Sequence, residues 1–167
     1  MFQNDSLKFR HELKYMVSRG EIALIQNRIN HLLKADKHTG ETGVYNIRSL
    51  YFDDYYNRCF YENENGTDPR EKFRIRIYNH SSARITLECK RKERGKTLKT
   101  SCPLTLEQTK LLMQGKILPN IESQHPVLQK LTYQMLTRKL HPVVIVEYDR
   151  VPYVYSNGTV RDRKSVV

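Results

Sequence analysis

The chain has no tryptophan, only seven glycines in 167 residues, and no apolar stretch near the ~18 residues that a membrane-crossing helix needs. Met1 to Ser6 is polar, so no signal peptide is read there. Repeats and low-complexity tracts are absent, which excludes solenoid and linker-rich architectures. Three cysteines (Cys59, Cys89 and Cys102) lack metal-type spacing and cannot all pair; that fits reduced thiols and a cytoplasmic setting. The six histidines show no zinc-like spacing and read as structural or solvated. There is no Walker-type glycine loop, no GxGxxG and no nucleophilic triad order. RNA-recognition and helix-turn-helix signatures are also missing.

Acidic residues are few beside basic ones: 18 Asp and Glu face 29 Lys and Arg, for a net charge of +11. Such an excess points to an anionic partner, whether nucleic acid, phosphate compounds or acidic lipid. Residues 70 to 99 hold eleven Lys and Arg against three acids, a local +8 that leaves +3 for everything else. The length suits a single domain, residues 1 to 167, with a real core.

That basic stretch has a strict pattern. In Lys72-Phe-Arg74-Ile-Arg76-Ile-Tyr78 every second residue is a cation. A strand sends alternate side chains to opposite faces, so the cations line one face and Phe73, Ile75 and Ile77 the other. By the same rule Arg84, Thr86, Glu88, Lys90 and Lys92 share a face of a second strand, joined to the first through Asn79-His-Ser-Ser82. Lys8 to Met16 alternates too and reads as a third charged strand, with Arg10, Glu12 and Lys14 together. Cations on alternate strand residues lie ~6.5 Å apart, close to the distance between every second phosphorus of an extended phosphate chain.

The remaining segments frame this pattern. Ser18-Arg-Gly-Glu21 is a capping box opening a helix with Ile22, Ile25, Ile29, Leu32 and Leu33 as its apolar stripe, and Gly40 lies in the loop beyond. Val44 to Phe52 reads as a strand, and Asp53-Asp54 starts a short helix or turn carrying Cys59 and Phe60. Gly95 ends the second charged strand, and Lys96 to Cys102 extends the meander. Thr105-Leu-Glu-Gln108 caps another helix that Gly115 ends, and Pro126 to Leu140 is helical. Pro142 to Arg150 is a strand with Val144, Val146, Tyr148 and Arg150 on one face; Asn157-Gly158 signals a hairpin back through Arg161. The fold class is α+β, an antiparallel barrel with helices inserted between strands. Glu12-x-Lys14 and Glu88-x-Lys90 each set a carboxylate beside a cation, either as a salt bridge or as a holder of a phosphate-bridging divalent metal. Tyr51, Tyr55 and Tyr56 are expected to pack in the core rather than stack on bases, and nucleic acid is disfavoured as a partner.

The ordered motifs Arg10-His-Glu12-Leu-Lys14-Tyr15, Ser49-Leu-Tyr51-Phe52-Asp53, Lys72-Phe-Arg74-Ile-Arg76, Leu87-Glu88-Cys-Lys90-Arg-Lys92 and Val146-Glu147-Tyr148-Asp149-Arg150 resemble the VTC polyphosphate polymerase domain. That family belongs to the triphosphate tunnel metalloenzymes, relatives of the CYTH proteins, and the resemblance covers residues 8 to 161. It implies a tunnel of antiparallel strands that binds ATP, tripolyphosphate or inorganic polyphosphate. In the family, basic residues grip the phosphates, acidic residues hold Mn²⁺ or Mg²⁺, and the terminal phosphoryl group of ATP passes to a polyphosphate chain. Carried over, Lys14, Arg74, Arg76, Lys90, Arg150 and Arg161 would be phosphate ligands, with Arg74, Arg76 and Lys90 catalytic. Lys72, Arg10 and either Lys99 or Lys96 would assist, and Glu12 and Glu88 would sit near the metal or act as salt-bridge partners. The same superfamily contains metal-dependent triphosphatases, and a non-catalytic polyphosphate-binding module is a further alternative. The family usually continues after Arg161 with an apolar run and an Asp; Asp162-Arg-Lys-Ser-Val-Val167 differs, so a C-terminally shortened, incompletely closed tunnel is expected. Replacing Arg74 and Arg76 together with alanine is expected to abolish phosphate binding without unfolding.

Overall fold

The computed structural model describes residues 9–35, 43–154 and 161–166, with the side chains of 34–35 and 161–166 excepted. Alternating sequence becomes strand wherever a neighbour exists to take the backbone hydrogen bonds. The centre is a meander of β4 (Arg70–Tyr78), β5 (Ser81–Glu93) and β6 (Lys96–Leu104). Both its turns are two-residue loops with positive φ at each position, Asn79 and His80 in the first and Arg94 and Gly95 in the second. Such turns match strand twist and lock the register. β3 (Tyr45–Asp53) pairs antiparallel with β4, and β7 (His141–Val154) pairs antiparallel with β3. β8 (Arg161–Val166) lies antiparallel on β7, with Arg161 opposite Val154. The Asn157-Gly158 turn itself lies outside the described residues.

With the two-residue strands β1 (Arg10–His11) and β2 (Lys34–Ala35), the sheet runs β1-β6-β5-β4-β3-β7-β2, and β8 joins at β7. It is a curled antiparallel half-barrel that is open among the described residues, an α+β fold as expected.

The apolar sides of β4, β5 and β6 make the core. Phe73 and Ile75 lie opposite Cys89 and Leu87, and Leu87 in turn faces Cys102. Two helices cover this surface: α3 (Leu106–Met113), opened by the Thr105/Gln108 capping box, and α4 (Pro126–Arg138), begun by a His125 cap with proline at its first position. They contribute Leu112, Val127, Leu128, Leu131 and Met135 to one buried cluster. The connection through these helices returns the chain to β7 beside β3. A short helix α2 (Arg58–Glu64) follows β3.

Two expectations are corrected. The strand expected over Lys8 to Met16 is paired only at Arg10 and His11, opposite Thr97 and Lys96. In that register Glu12 would face Gly95 in the β5–β6 turn, so the partner strand is exhausted and the chain leaves the sheet. The helix α1 (Arg19–Asn30) forms behind its Ser18/Glu21 capping box, yet buries none of its residues. Of its apolar stripe, Ile25 and Leu32 stay exposed.

Leu131 is fully buried where α4 meets the sheet. Leu131→Ala should therefore lower unfolding stability by roughly 2–5 kcal/mol. A urea titration with shifted midpoint and unchanged slope checks this.

Candidate phosphate-binding face

Register decides which charges meet. Residues directly opposite in an antiparallel pair project to the same side. Lys72 of β4 faces Lys90 of β5, which faces Lys99 of β6, so three lysines form one rung across adjacent strands. The next rung is Tyr51, Arg74, Glu88 and Ser101. Beyond it come Ser49, Arg76 and Thr86, and in the other direction Arg70, Lys92, Thr97 and Arg10. Five strands thus send basic and hydroxyl side chains into one concave surface. Lys96 falls on the opposite face, opposite Glu93. Of the two alternatives, only Lys99 joins this surface.

Glu88 is the centre of the electrostatics. Its side chain is only 3% exposed. Arg74 donates to its Oε2 from Nε and Nη2 at 2.7 Å each, Arg76 Nη1 stands 3.5 Å from the same oxygen, and Lys99 Nζ is 3.2 Å from Oε1. Burial pushes the Glu88 carboxyl up, but Arg74, Arg76 and Lys99 outweigh it and bring the pKa down to about 2. Burial also pulls Arg74 down, and the Glu88 charge more than reverses this, so its pKa is raised.

Hydroxyl groups complete the arginine settings. Arg74 Nη1 donates to Tyr51 Oη at 3.1 Å, and Arg76 Nε donates to Ser49 Oγ at 3.2 Å. Tyr148 Oη accepts from Arg150 Nη2 at 2.7 Å and lies 3.5 Å from Arg76 Nη2. Each guanidinium also stacks on a ring: Arg74 on Tyr51, Arg76 on Tyr78 and Arg150 on Tyr148. Such contacts fix the guanidiniums in place. The buried Arg150 Nε has no hydrogen-bond partner among the described residues.

The lysines are less tied. Lys90 pairs with Glu12, while Lys72 makes no ion pair among the described residues. Burial lowers the pKa of both. Lys14 lies on the unpaired segment after β1, near enough to Lys90 to add to that lowering. The Arg161 side chain lies outside the described residues.

Sequence reading missed Ser49, Tyr51 and Tyr148 as supports for the arginines. The alternation Ser49-x-Tyr51 carried a faint signal, but only the β3–β4 register turns it into contacts. Tyr55 and Tyr56, expected in the core, are 83% and 75% exposed. The adjacent carboxylates are buried instead: Asp53 accepts from the backbone N–H of Asp54, Cys59 and Phe60, and Asp54 from those of Tyr56 and Arg58. Satisfying those carboxylates turns the tyrosines outward.

The profile of the VTC domain matches residues 9–161. This chain belongs to the VTC domain family. No curated protein matches. Among the solved structures, the VTC domain here is similar to a Bacillus halodurans protein described as "a putative adenylate cyclase", with 18% identity and a TM-score of 0.60. The match covers 90% of this chain and 70% of that one. The likeness is one of fold, and it agrees with an open α+β fold of the triphosphate-tunnel kind.

Proteins of that architecture generally depend on a divalent metal. Here no three His, Cys, Asp or Glu side chains converge among the described residues. Both Glu88 oxygens are taken by cations: on this face Glu88 pairs with Arg74, Arg76 and Lys99, and Glu12 pairs with Lys90.

The alanine double variant must also be reconsidered. Without Arg74 and Arg76, buried Glu88 keeps only Lys99, and an orphaned buried charge costs roughly 3–5 kcal/mol. The double variant should be far less stable than the parent by urea unfolding, and adding Glu88→Gln should recover part of the loss. The depressed pKa of Glu88 also sets a pH window. Its contribution is fully present above the ordinary value of 4.5 and is lost as pH falls through about 2. The acid-unfolding curve of Glu88→Gln should be flatter than that of the parent across that interval.

Proposed function

We propose that this VTC domain is an ATP–polyphosphate phosphotransferase whose concave basic face binds the triphosphate of ATP and the end of a polyphosphate chain. The observation that carries the reading is the Lys72–Lys90–Lys99 rung. Like charges directly opposite on neighbouring strands oppose sheet formation. Three of them within ~10 Å, beside half-buried arginines, are stabilised by an anion that bridges them. A linear phosphate chain carries negative oxygens at the matching spacing. The alternation of cations along β4 extends the match in the second direction.

In the reaction, a terminal phosphate oxygen of polyphosphate attacks the γ-phosphorus of ATP in line. A new P–O bond forms, the bond to the β–γ bridging oxygen breaks, and ADP leaves with that oxygen's charge. Such a transfer needs positioning and charge neutralisation more than a covalent catalyst. Arg74 and Arg76, held by Glu88, Tyr51 and Ser49, are placed to stabilise the charge that develops on the transferred group. Lys90 and Lys72 would hold the neighbouring phosphates, with Arg150, Arg10, Lys14 and Arg161 continuing the grip along the chain. The three cysteines are free, which supports a reducing cytoplasmic setting.

Tripolyphosphate at 100 times its Kd should raise the Tm by roughly 5–10 °C, in EDTA as well as in Mg²⁺ buffer, because cations carry the binding. Lys72→Ala with Lys90→Ala should remove the shift without orphaning a buried carboxylate. With ATP and Mg²⁺, polyphosphate should lengthen on a gel. If the protein instead only releases phosphate from tripolyphosphate, the transfer is ruled out in favour of hydrolysis.

A further inference from the structure

We infer that α1 is a dimerisation surface, whose outward stripe packs antiparallel against the same stripe of a second copy of this chain about a two-fold axis. Nothing in this pairing depends on what the concave face binds.

The helix has two apolar sides. Ile22 and Ile29 are half-buried, whereas Leu24, Ile25 and Leu32 are 64%, 41% and 73% exposed. Val17, just before the Ser18 cap, is exposed as well. Val17, Glu21, Leu24, Ile25 and Arg28 line one groove. Leu32 follows one turn beyond Arg28, where the N–H groups of Leu32 and Leu33 both reach the Ile29 carbonyl and close the last turn. Glu21, Leu24, Ile25, Arg28 and Leu32 thus sit at i, i+3, i+4, i+7 and i+11, the spacing with which a helix packs against another element. An exposed apolar stripe of this regularity marks an interaction surface.

The stripe is complementary to itself. With the two-fold axis between positions 24 and 25, Leu24 meets the partner's Ile25, Val17 meets the partner's Leu32, and Glu21 meets the partner's Arg28. Each contact occurs twice, as an isologous interface requires. Within one copy Glu21 and Arg28 lie seven residues, ~10.5 Å of helix, apart, too far to pair. Arg28 makes no ion pair among the described residues, and Oε2 of Glu21 accepts from the Ser18 N–H at 2.7 Å. A parallel pair would set Glu21 against the partner's Glu21 and Arg28 against the partner's Arg28, so charge selects the antiparallel arrangement. A lipid surface fits less well. A helix lying in it keeps its charges on the face opposite the apolar one, and here Glu21 and Arg28 stand inside the stripe. Two twelve-residue helices make a small contact, below the ~1,200 Å² of a standard interface, so association belongs in the micromolar range.

The test is sedimentation equilibrium of the whole chain from about 1 to 200 µM, which brackets that range. The parent should pass from monomer to dimer. Arg28→Glu leaves the Ser18/Glu21 capping box intact and should weaken the dimer at least tenfold, as should Leu24→Ser. Glu21→Arg should do the same. Mixing Glu21→Arg with Arg28→Glu should restore association, because each then carries the charge that the other lacks. Circular dichroism should show the variants folded, since α1 contributes no buried residue. A parent that stays monomeric throughout overturns the inference, and so does a dimer that survives both Arg28→Glu and Leu24→Ser, because it uses another surface. A mixture that fails to associate while α1 remains helical overturns the antiparallel pairing. A monomeric parent that floats with phosphatidylserine vesicles, and ceases to with Leu24→Ser, gives the stripe to a membrane instead.

Discussion

One buried carboxylate lets this surface exist. Glu88 takes two bonds from Arg74 and one contact each from Arg76 and Lys99, on three adjacent strands. Without it, strands β4 to β6 would press like charges together on their concave side with only Glu12, on Lys90, to offset them. With it, the guanidiniums are drawn toward one carboxylate and fixed against Tyr51 and Ser49. A buried ion cluster of this kind is weak evidence for net stability, because desolvation offsets much of the attraction. Its better-supported use is positional. It holds the cations in fixed positions, so under the proposed function less order has to be imposed when an anion binds.

The charged faces of β4 and β5 were legible because alternation is a local property of sequence. Lys72, Arg74 and Arg76 fall on one side whatever their neighbours are. Register is not local. Lys72 meets Lys90 and Lys99 in one rung because two-residue turns at Asn79-His80 and Arg94-Gly95 set the offsets, and sequence left Lys99 and Lys96 undecided. The same turn cut short the strand expected over Lys8 to Met16, since no partner remains beyond Lys96.

Burial was harder still to read. The stripe on α1 has helical periodicity, which reports that a helix can form but not that a surface waits for it. Tyr55 and Tyr56 look like core residues by type, but the demand of Asp53 and Asp54 for hydrogen bonds is stronger and reverses the corner. The contacts of Ser49, Tyr51 and Tyr148 with Arg74 and Arg76 join residues 23 to 72 positions apart, and no spacing rule links them.

The meander of β4, β5 and β6 occupies residues 70–104, with two-residue turns between its strands. Its contacts are short in sequence, the kind that close quickly in folding. The most highly charged wall is thus also the part of the sheet that needs least from distant segments. As the chain emerges during synthesis, this wall can be assembled before β7 arrives to flank β3. Any phosphate polymer nearby would then meet a basic surface while the rest of the domain is still being made, and would act as a folding partner.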